Sequence, residues 1–344
     1  LNKGNNMKIT KILVALSFLF AVSTANAGEL SVTGSIQATY QSEVDRTSGN
    51  PLGMDRELKF SGSTELDNGM TVSVMQDTND DLGFGNSLIT FGNVGGLVDI
   101  SIGSDGSPLD AIDDITPTAF EEANGAGSGS YNDIGDAASD TGITFKFGVP
   151  VLGTVNYKYV PKMDGNKNEE KEASADTNNA VGSMSEITIK TNLADLPFVG
   201  SYLDGATLTT GFAEHDHSTV ANVDDAFDVT AALNYSNGPF SIGVQKKIHN
   251  EGEGTAATTD AIWYKDTIIG IAYAVNDDLS ISYNTYESQR HNSDSANLRQ
   301  ETDAISIGYA IGGMTLGFQE ASTDNKSWAT GTDDTRTVSV KVAF

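Results

Sequence analysis

The chain has no cysteine in 344 residues. That excludes disulfides and thiolate chemistry, and it suits a protein exported through an oxidising periplasm. Basic residues are scarce: 20 Lys+Arg face 47 Asp+Glu, a formal net charge of -27. Phosphate backbones would be repelled by such a surface, so nucleic acid is not an expected partner. Outside the N-terminal region no apolar run approaches the length of a membrane-spanning helix. Mean hydropathy is -0.24 and 19% of residues are charged, which also excludes a helical membrane protein. No G-x-S-x-G is present, and no His lies at a recognisable spacing from a Ser and an acid. An enzyme is therefore not expected. The D-x-[DN]-x-[DN]-G loop of a calcium site is missing too, so no cofactor is expected, and any Ca²⁺ or Mg²⁺ at the acidic loops would be held only loosely. His215-Asp216-His217 is the one close His pair, and its polar surroundings read as a solvated loop.

What is present begins with an export signal. Met7, Lys8 and Lys11 open residues 7–27, an apolar run of about eleven residues follows at 12–22, and Ala25-Asn26-Ala27 is an A-x-A cleavage site before Gly28. Residues 1–27 thus read as an N-terminal extension and cleaved signal, and residues 28–344 as one domain. Removing three Lys leaves 17 Lys+Arg against 47 Asp+Glu.

The remainder alternates with a period of two. At 335–344, Val338, Val340, Val342 and Phe344 share one face and Thr337, Ser339, Lys341 and Ala343 the other. Near the start, Val32, Ile36, Ala38 and Tyr40 oppose Ser31, Thr33, Ser35, Gln37 and Thr39. A terminal apolar strand left unpaired would be an aggregation-prone edge. Pairing the first strand with the last closes a barrel and removes that edge.

Segments of about 8 to 14 residues recur, separated alternately by short turns and long polar stretches. Asp67-Asn68-Gly69, Gly95-Gly96, Asn237-Gly238-Pro239 and Gly312-Gly313 are among the short turns. The long connections are 44–53, 79–85, 105–140, 163–182, 215–225, 250–265, 288–300 and 321–333. Short turns at one end and long loops at the other describe a transmembrane antiparallel β-barrel of about 16 strands. Tyr40, Phe60, Phe147, Tyr159, Phe212, Tyr235, Phe240 and Phe344 fall near strand ends, where interfacial girdles would lie. Ordinary β-propensity accounts for them equally well.

The chain resembles the general porins of Gram-negative outer membranes. The resemblance is carried by A-N-A before an acidic start, L-K-F-S-G-S-T-E-L-D-N-G at 58–69, L-I-T-F-G at 88–92, I-S-I-G at 100–103, and the terminal V-S-V-K-V-A-F. It implies a 16-stranded barrel, commonly a homotrimer, whose third external loop folds inward to narrow the pore. It also implies that Phe344 is a signal read by the barrel-assembly machinery, and that outer-membrane lipid and lipopolysaccharide surround the wall. By its place in the chain, 105–140 matches the constriction loop. It holds nine acidic residues and no Lys or Arg, with Asp105, Asp110, Asp113, Asp114, Glu121 and Glu122 in its first half. Carboxylates held in a narrow pore attract cations. A short helical turn at 117–122 and a flexible return at 125–129 are expected within it. The family commonly opposes this loop with a basic cluster. Here Lys59 and Lys146 are the candidates, Lys158, Lys190, Lys247 and Lys341 also being inward, while Ser104 and Asp105 stand where an Arg is common.

These readings converge on an outer-membrane porin: a water-filled channel for small hydrophilic solutes and ions, preferring cations. The alternatives are a substrate-specific channel, which would need an aromatic or basic track through the lumen, and a plugged structural or adhesive barrel. Tyr286 is one of few aromatics placed inward, which argues against a sugar track.

Overall fold

A computed structural model describes residues 30–43, 49–78, 83–104, 106–125, 134–135, 141–162, 182–197, 200–216, 225–250, 252, 261–292 and 298–344. The expected signal segment lies outside the described residues. The strands are β1 (Leu30–Glu43), β2 (Leu52–Glu65), β3 (Thr71–Thr78), β4 (Phe84–Val94), β5 (Val98–Gly103) and β6 (Gly142–Val149). Next come β7 (Gly153–Val160), β8 (Met184–Asn192), β9 (Ala206–His215), β10 (Ala226–Asn237) and β11 (Phe240–Asn250). The last are β12 (Ala261–Ala274), β13 (Leu279–Asn292), β14 (Arg299–Ile311), β15 (Met314–Asp324) and β16 (Thr332–Ala343). Each pairs antiparallel with its sequence neighbours, and β1 with β16, so the sheet is a closed barrel.

Closure places Ile36 beside Val342 on one flank and Arg56 on the other. Gly34 and Phe344 exchange both backbone hydrogen bonds, at 2.9 and 3.0 Å, so the final residue is still in the ladder. With the sheet closed, no described strand is left as an unpaired edge facing lipid.

Side-chain alternation is clearest in β14. Ile305, Ile307 and Tyr309 point outward and are exposed, while Thr302, Ala304 and Ser306 point inward and are buried. The same apolar outer face recurs in Val338, Val340 and Val342, in Ile269 and Ile271, and in Leu233 and Tyr235. Apolar surface encircling a barrel with a polar interior is what a bilayer solvates and water does not.

The strands run further than expected at the long-loop end. Residues 288–292, 299–300, 261–265 and 321–324 belong to β13, β14, β12 and β15, not to loops. The ladder needs only backbone partners, so it continues above the apolar band with charged outward residues. Arg299 beside Glu287 (3.1 Å) and Arg336 beside Glu320 (2.8 Å) form such exposed pairs. Loss of apolar alternation marked the edge of the membrane band, not the end of the strand.

Candidate pore constriction

The connection between β5 and β6, residues 104–141, is the third on the long-loop side. Its described part turns into the barrel and runs along the inner wall from β8 to β15. Ser107 Oγ (2.7 Å) and the Leu109 amide (3.2 Å) both donate to Glu186 Oε2 on β8. Leu109 then packs into a small apolar cluster with Ile134, Val160, Met184 and Ala213. On β11, Gln245 Nε2 donates to the carbonyls of Ile112 (2.7 Å) and Asp113 (2.8 Å), and its Oε1 accepts from the Ile115 amide (2.9 Å). Asn234 and Asn284 donate to the carbonyls of Ile115 and Pro117 at 2.8 and 3.0 Å. Ser282 Oγ accepts from the Ala119 amide at 2.9 Å, and Gln319 Nε2 donates to the Glu121 carbonyl at 2.8 Å. The wall's Gln, Asn and Ser side chains thus meet backbone groups that would otherwise be buried unpaired.

Small residues make room for this path. A Cβ at Gly211 would strike Leu109, one at Gly243 would lie 2.6 Å from Pro117 Cδ, one at Gly308 would meet the Ala119 carbonyl, and one at Gly317 would enter the Phe120 ring. These inward glycines of β9, β11, β14 and β15 trace a groove in the wall. Beside it Ala123 seats against Ile268, Tyr286, Ala304 and Ala321. Tyr286 points inward, as expected.

Burial shows where the lumen remains open. Inward residues of β9 to β14 such as Thr209, Thr230, Asn284 and Ser306 are buried by the loop. On β1 and β2 the inward Ser31, Thr33, Asp55 and Glu57 are exposed. The passage therefore lies between the loop and the wall around β1 and β2.

The expected constriction residues divide. Asp105 lies outside the described residues. Asp110 is exposed in a 3-10 turn, Asp110–Ile112. Asp113 does not face the passage: its Oδ1 is 2.7 Å from Lys247 Nζ, with 6% and 0% of the two side chains exposed. The pair is trapped between loop and wall, because Gln245 draws in the Asp113 carbonyl and the side chain follows. Asp114, Glu121 and Glu122 form the remaining acidic group, half-buried, with Asp114 accepting from Asn124 Nδ2 at 3.1 Å. Burial, then the charge of Asp114, pushes the Glu122 carboxyl up to about 7. Glu121 is raised by the same two causes, partly offset by Lys341.

Lys341 on β16 is thus a base whose charge bears on Glu121. Sequence periodicity placed it inward but could not rank it above Lys59 and Lys146. Lys59 does lie on the inner face of β2, half-exposed, with Glu57 at 3.7 Å on the same face. Lys146 sits on β6 close to its short turn, opposite Asp99, and is not brought to the loop's carboxylates. The expected helical turn at 117–122 is replaced by irregular chain that bends at Ala119 and Phe120, since the wall takes the Pro117, Glu121 and Glu122 carbonyls. The turn forms at Asp110–Ile112 instead. Of the expected return at 125–129, only Gly125 is among the described residues.

His215 corrects the solvated-loop reading. It ends β9 facing inward, buried, with Nε2 3.1 Å from Asp228 Oδ2, while His249 Nδ1 lies 2.5 Å from Asp228 Oδ1. The Gly135 amide on the loop's return donates to the same carboxylate at 3.3 Å. His217 lies outside the described residues. No three His, Cys, Asp or Glu side chains among the described residues are arranged to hold a metal ion.

A closed barrel with an apolar outside, a polar inside and a loop narrowing its passage defines a transmembrane channel. The profile of a family described as Gram-negative porin matches residues 13–343, and the chain belongs to that family. It is an outer-membrane channel. Among solved structures it is similar to OmpT of Vibrio cholerae in a trimer form, at 10% identity over 93% of this chain and all of that one, with a TM-score of 0.67. It is also similar to OmpF of Salmonella typhi in complex with daunomycin, at 15% identity, 92% and 98% coverage and a TM-score of 0.66. An anion-selective porin from Comamonas acidovorans matches at 12% identity, 92% and 100% coverage and a TM-score of 0.66. At such identities the likeness is one of fold. No curated protein matches the sequence.

Proposed function

We propose that the channel passes small hydrophilic solutes and ions by passive diffusion and favours cations. The observation that carries this is the acidic group Asp114, Glu121 and Glu122 on the loop, answered by Lys341 while Glu57 lies beside Lys59. A field of that sign in a narrow, weakly screened passage raises the local cation concentration. An anion-selective porin shares the fold, so selectivity rests on these side chains and not on the barrel. Passage needs no covalent step, cofactor or metal, and Ca²⁺ or Mg²⁺ would associate only loosely with external carboxylates. We further infer a homotrimer embedded among lipid and lipopolysaccharide, supported by the trimeric OmpT neighbour. Phe344, held in the ladder beside Gly34, serves as the mark for barrel assembly.

The test is single-channel recording of residues 28–344 in a planar bilayer under a KCl gradient. Stepwise conductance with a cation-selective reversal potential supports the reading. An anion-selective reversal potential removes the role given to the carboxylates, and silence from a folded barrel points to a plugged lumen.

A further inference from the structure

The connection between β15 and β16, residues 325–331, also bends into the barrel, at the long-loop mouth. It does so through three non-glycine residues with left-handed backbone: Asn325 (φ 55°), Ser327 (φ 55°) and Trp328 (φ 54°). A tryptophan at positive φ is a clear outlier for a bulky side chain. Local strain of this kind persists only where the surroundings hold it, and it gathers at binding sites.

The surroundings do hold it. Trp328 Nε1 donates to the Ser288 carbonyl at 3.2 Å, and the Ser327 amide donates to Gln300 Oε1 at 2.8 Å. The Trp328 ring lies 5.0 Å from that of Tyr264, tilted by 50°, and Arg290 Cζ lies 5.4 Å from the indole centroid. Tyr264 in turn stacks towards His249 at 6.1 Å, so a line of rings leads from the mouth down to the loop's anchor on Asp228. Trp328 and Arg290 are half-buried on the inner side of the long-loop mouth, and among the described residues Arg290 has no carboxylate partner. A guanidinium with no carboxylate beside it among the described residues is an unusual element in a chain this acidic.

We propose that Trp328 and Arg290, with the buried Tyr264 ring backing the indole, form a docking subsite in the external vestibule for a ring-bearing carboxylate. The ring lies against the indole, and the planar guanidinium takes the carboxylate through paired N–H donors. The subsite concentrates one class of anion at the mouth of a channel whose constriction is acidic, so it acts on what is captured rather than on which small ions pass. It does not depend on the cation preference proposed above.

The probe is benzoate, with acetate supplying the carboxylate alone and benzyl alcohol the ring alone. The chain has two tryptophans, and Trp263 points outward, stacked on His291. Trp263→Phe therefore leaves Trp328 as the sole fluorophore. Benzoate should change its emission saturably, with at least tenfold tighter binding than either fragment, and Arg290→Gln should weaken benzoate at least tenfold without altering KCl conductance. Arg290→Lys, which keeps the charge but not the fork, should fall between. Should Trp263→Phe fold poorly, the same titration is read as benzoate-induced current interruptions in the parent channel and in Trp328→Leu. Equal responses to all three probes, or benzoate binding indifferent to Arg290→Gln, would overturn the proposal.

Discussion

Lys247 Nζ and Asp113 Oδ1 lie 2.7 Å apart, the one on strand β11 and the other on the inward loop, both shut away from water. Removing one partner of a buried pair costs roughly 3–5 kcal/mol where the other charge is left uncompensated. Lys247 also adjoins the buried Asp266 across the β11–β12 ladder, so Lys247→Met should cost more than Asp113→Asn. Asp113→Asn or Lys247→Met should therefore loosen the loop. The expected readout is noisier current with sub-conductance steps, and unfolding at lower temperature. The double variant Asp113→Asn/Lys247→Met should recover part of the loss of Lys247→Met, because Asp113 no longer carries a charge that faces no lysine. Additive losses would show that the pair does not hold the loop.

Glu122 links selectivity to pH. Its carboxyl is pushed up to about 7, so it is largely neutral at pH 5.5 and charged at pH 8.5. The reversal potential in a KCl gradient should move towards cations as pH rises through 7, and Glu122→Gln should flatten that change. The stability sign runs the other way. Between pH 4.5 and 7 the folded chain holds a proton that the unfolded chain has released, so this group's contribution weakens as pH rises.

Gly308 faces the Ala119 carbonyl, with no space for a Cβ. Gly308→Val should push the loop towards the open wall and lower conductance while leaving the barrel closed. Unchanged conductance with the variant folded would place the loop elsewhere.

Lys341 opposes the charge of Glu121. Lys341→Gln should strengthen cation selectivity, and Lys146→Gln, near the short turns, should leave it nearly unaltered. Lys59→Gln should have an intermediate effect, since Glu57 already lies beside it. Equal shifts from Lys146 and Lys341 would contradict this ordering.

Strand number, the neighbouring first and last strands and the alternating turn lengths were legible in the sequence. Each is written in local pattern: Val338, Val340 and Val342 alternate whatever the rest of the chain does. The acidic character of the third loop was legible for the same reason. Its division was not. Asp113 and Asp114 are adjacent and chemically alike, yet one is buried against Lys247 and the other joins the acidic group. The difference depends on Gln245, more than a hundred residues away, drawing in the Asp113 carbonyl.

His215 and Trp328 make the same point from the polar stretches. Both looked like loop residues, since nothing apolar alternates around them. The ladder continues past the membrane band, and this carries His215 to Asp228 and Trp328 to Tyr264. By itself the sequence determined a barrel, its two faces and an acidic third loop, because period and charge are properties of neighbouring residues, while the loop's inward turn was implied by the resemblance. Only the tertiary structure decided which wall the loop covers, which of its carboxylates is shut against a lysine and which lie near one another. Those outcomes depend on side chains distant in the chain meeting across the inside of one closed sheet.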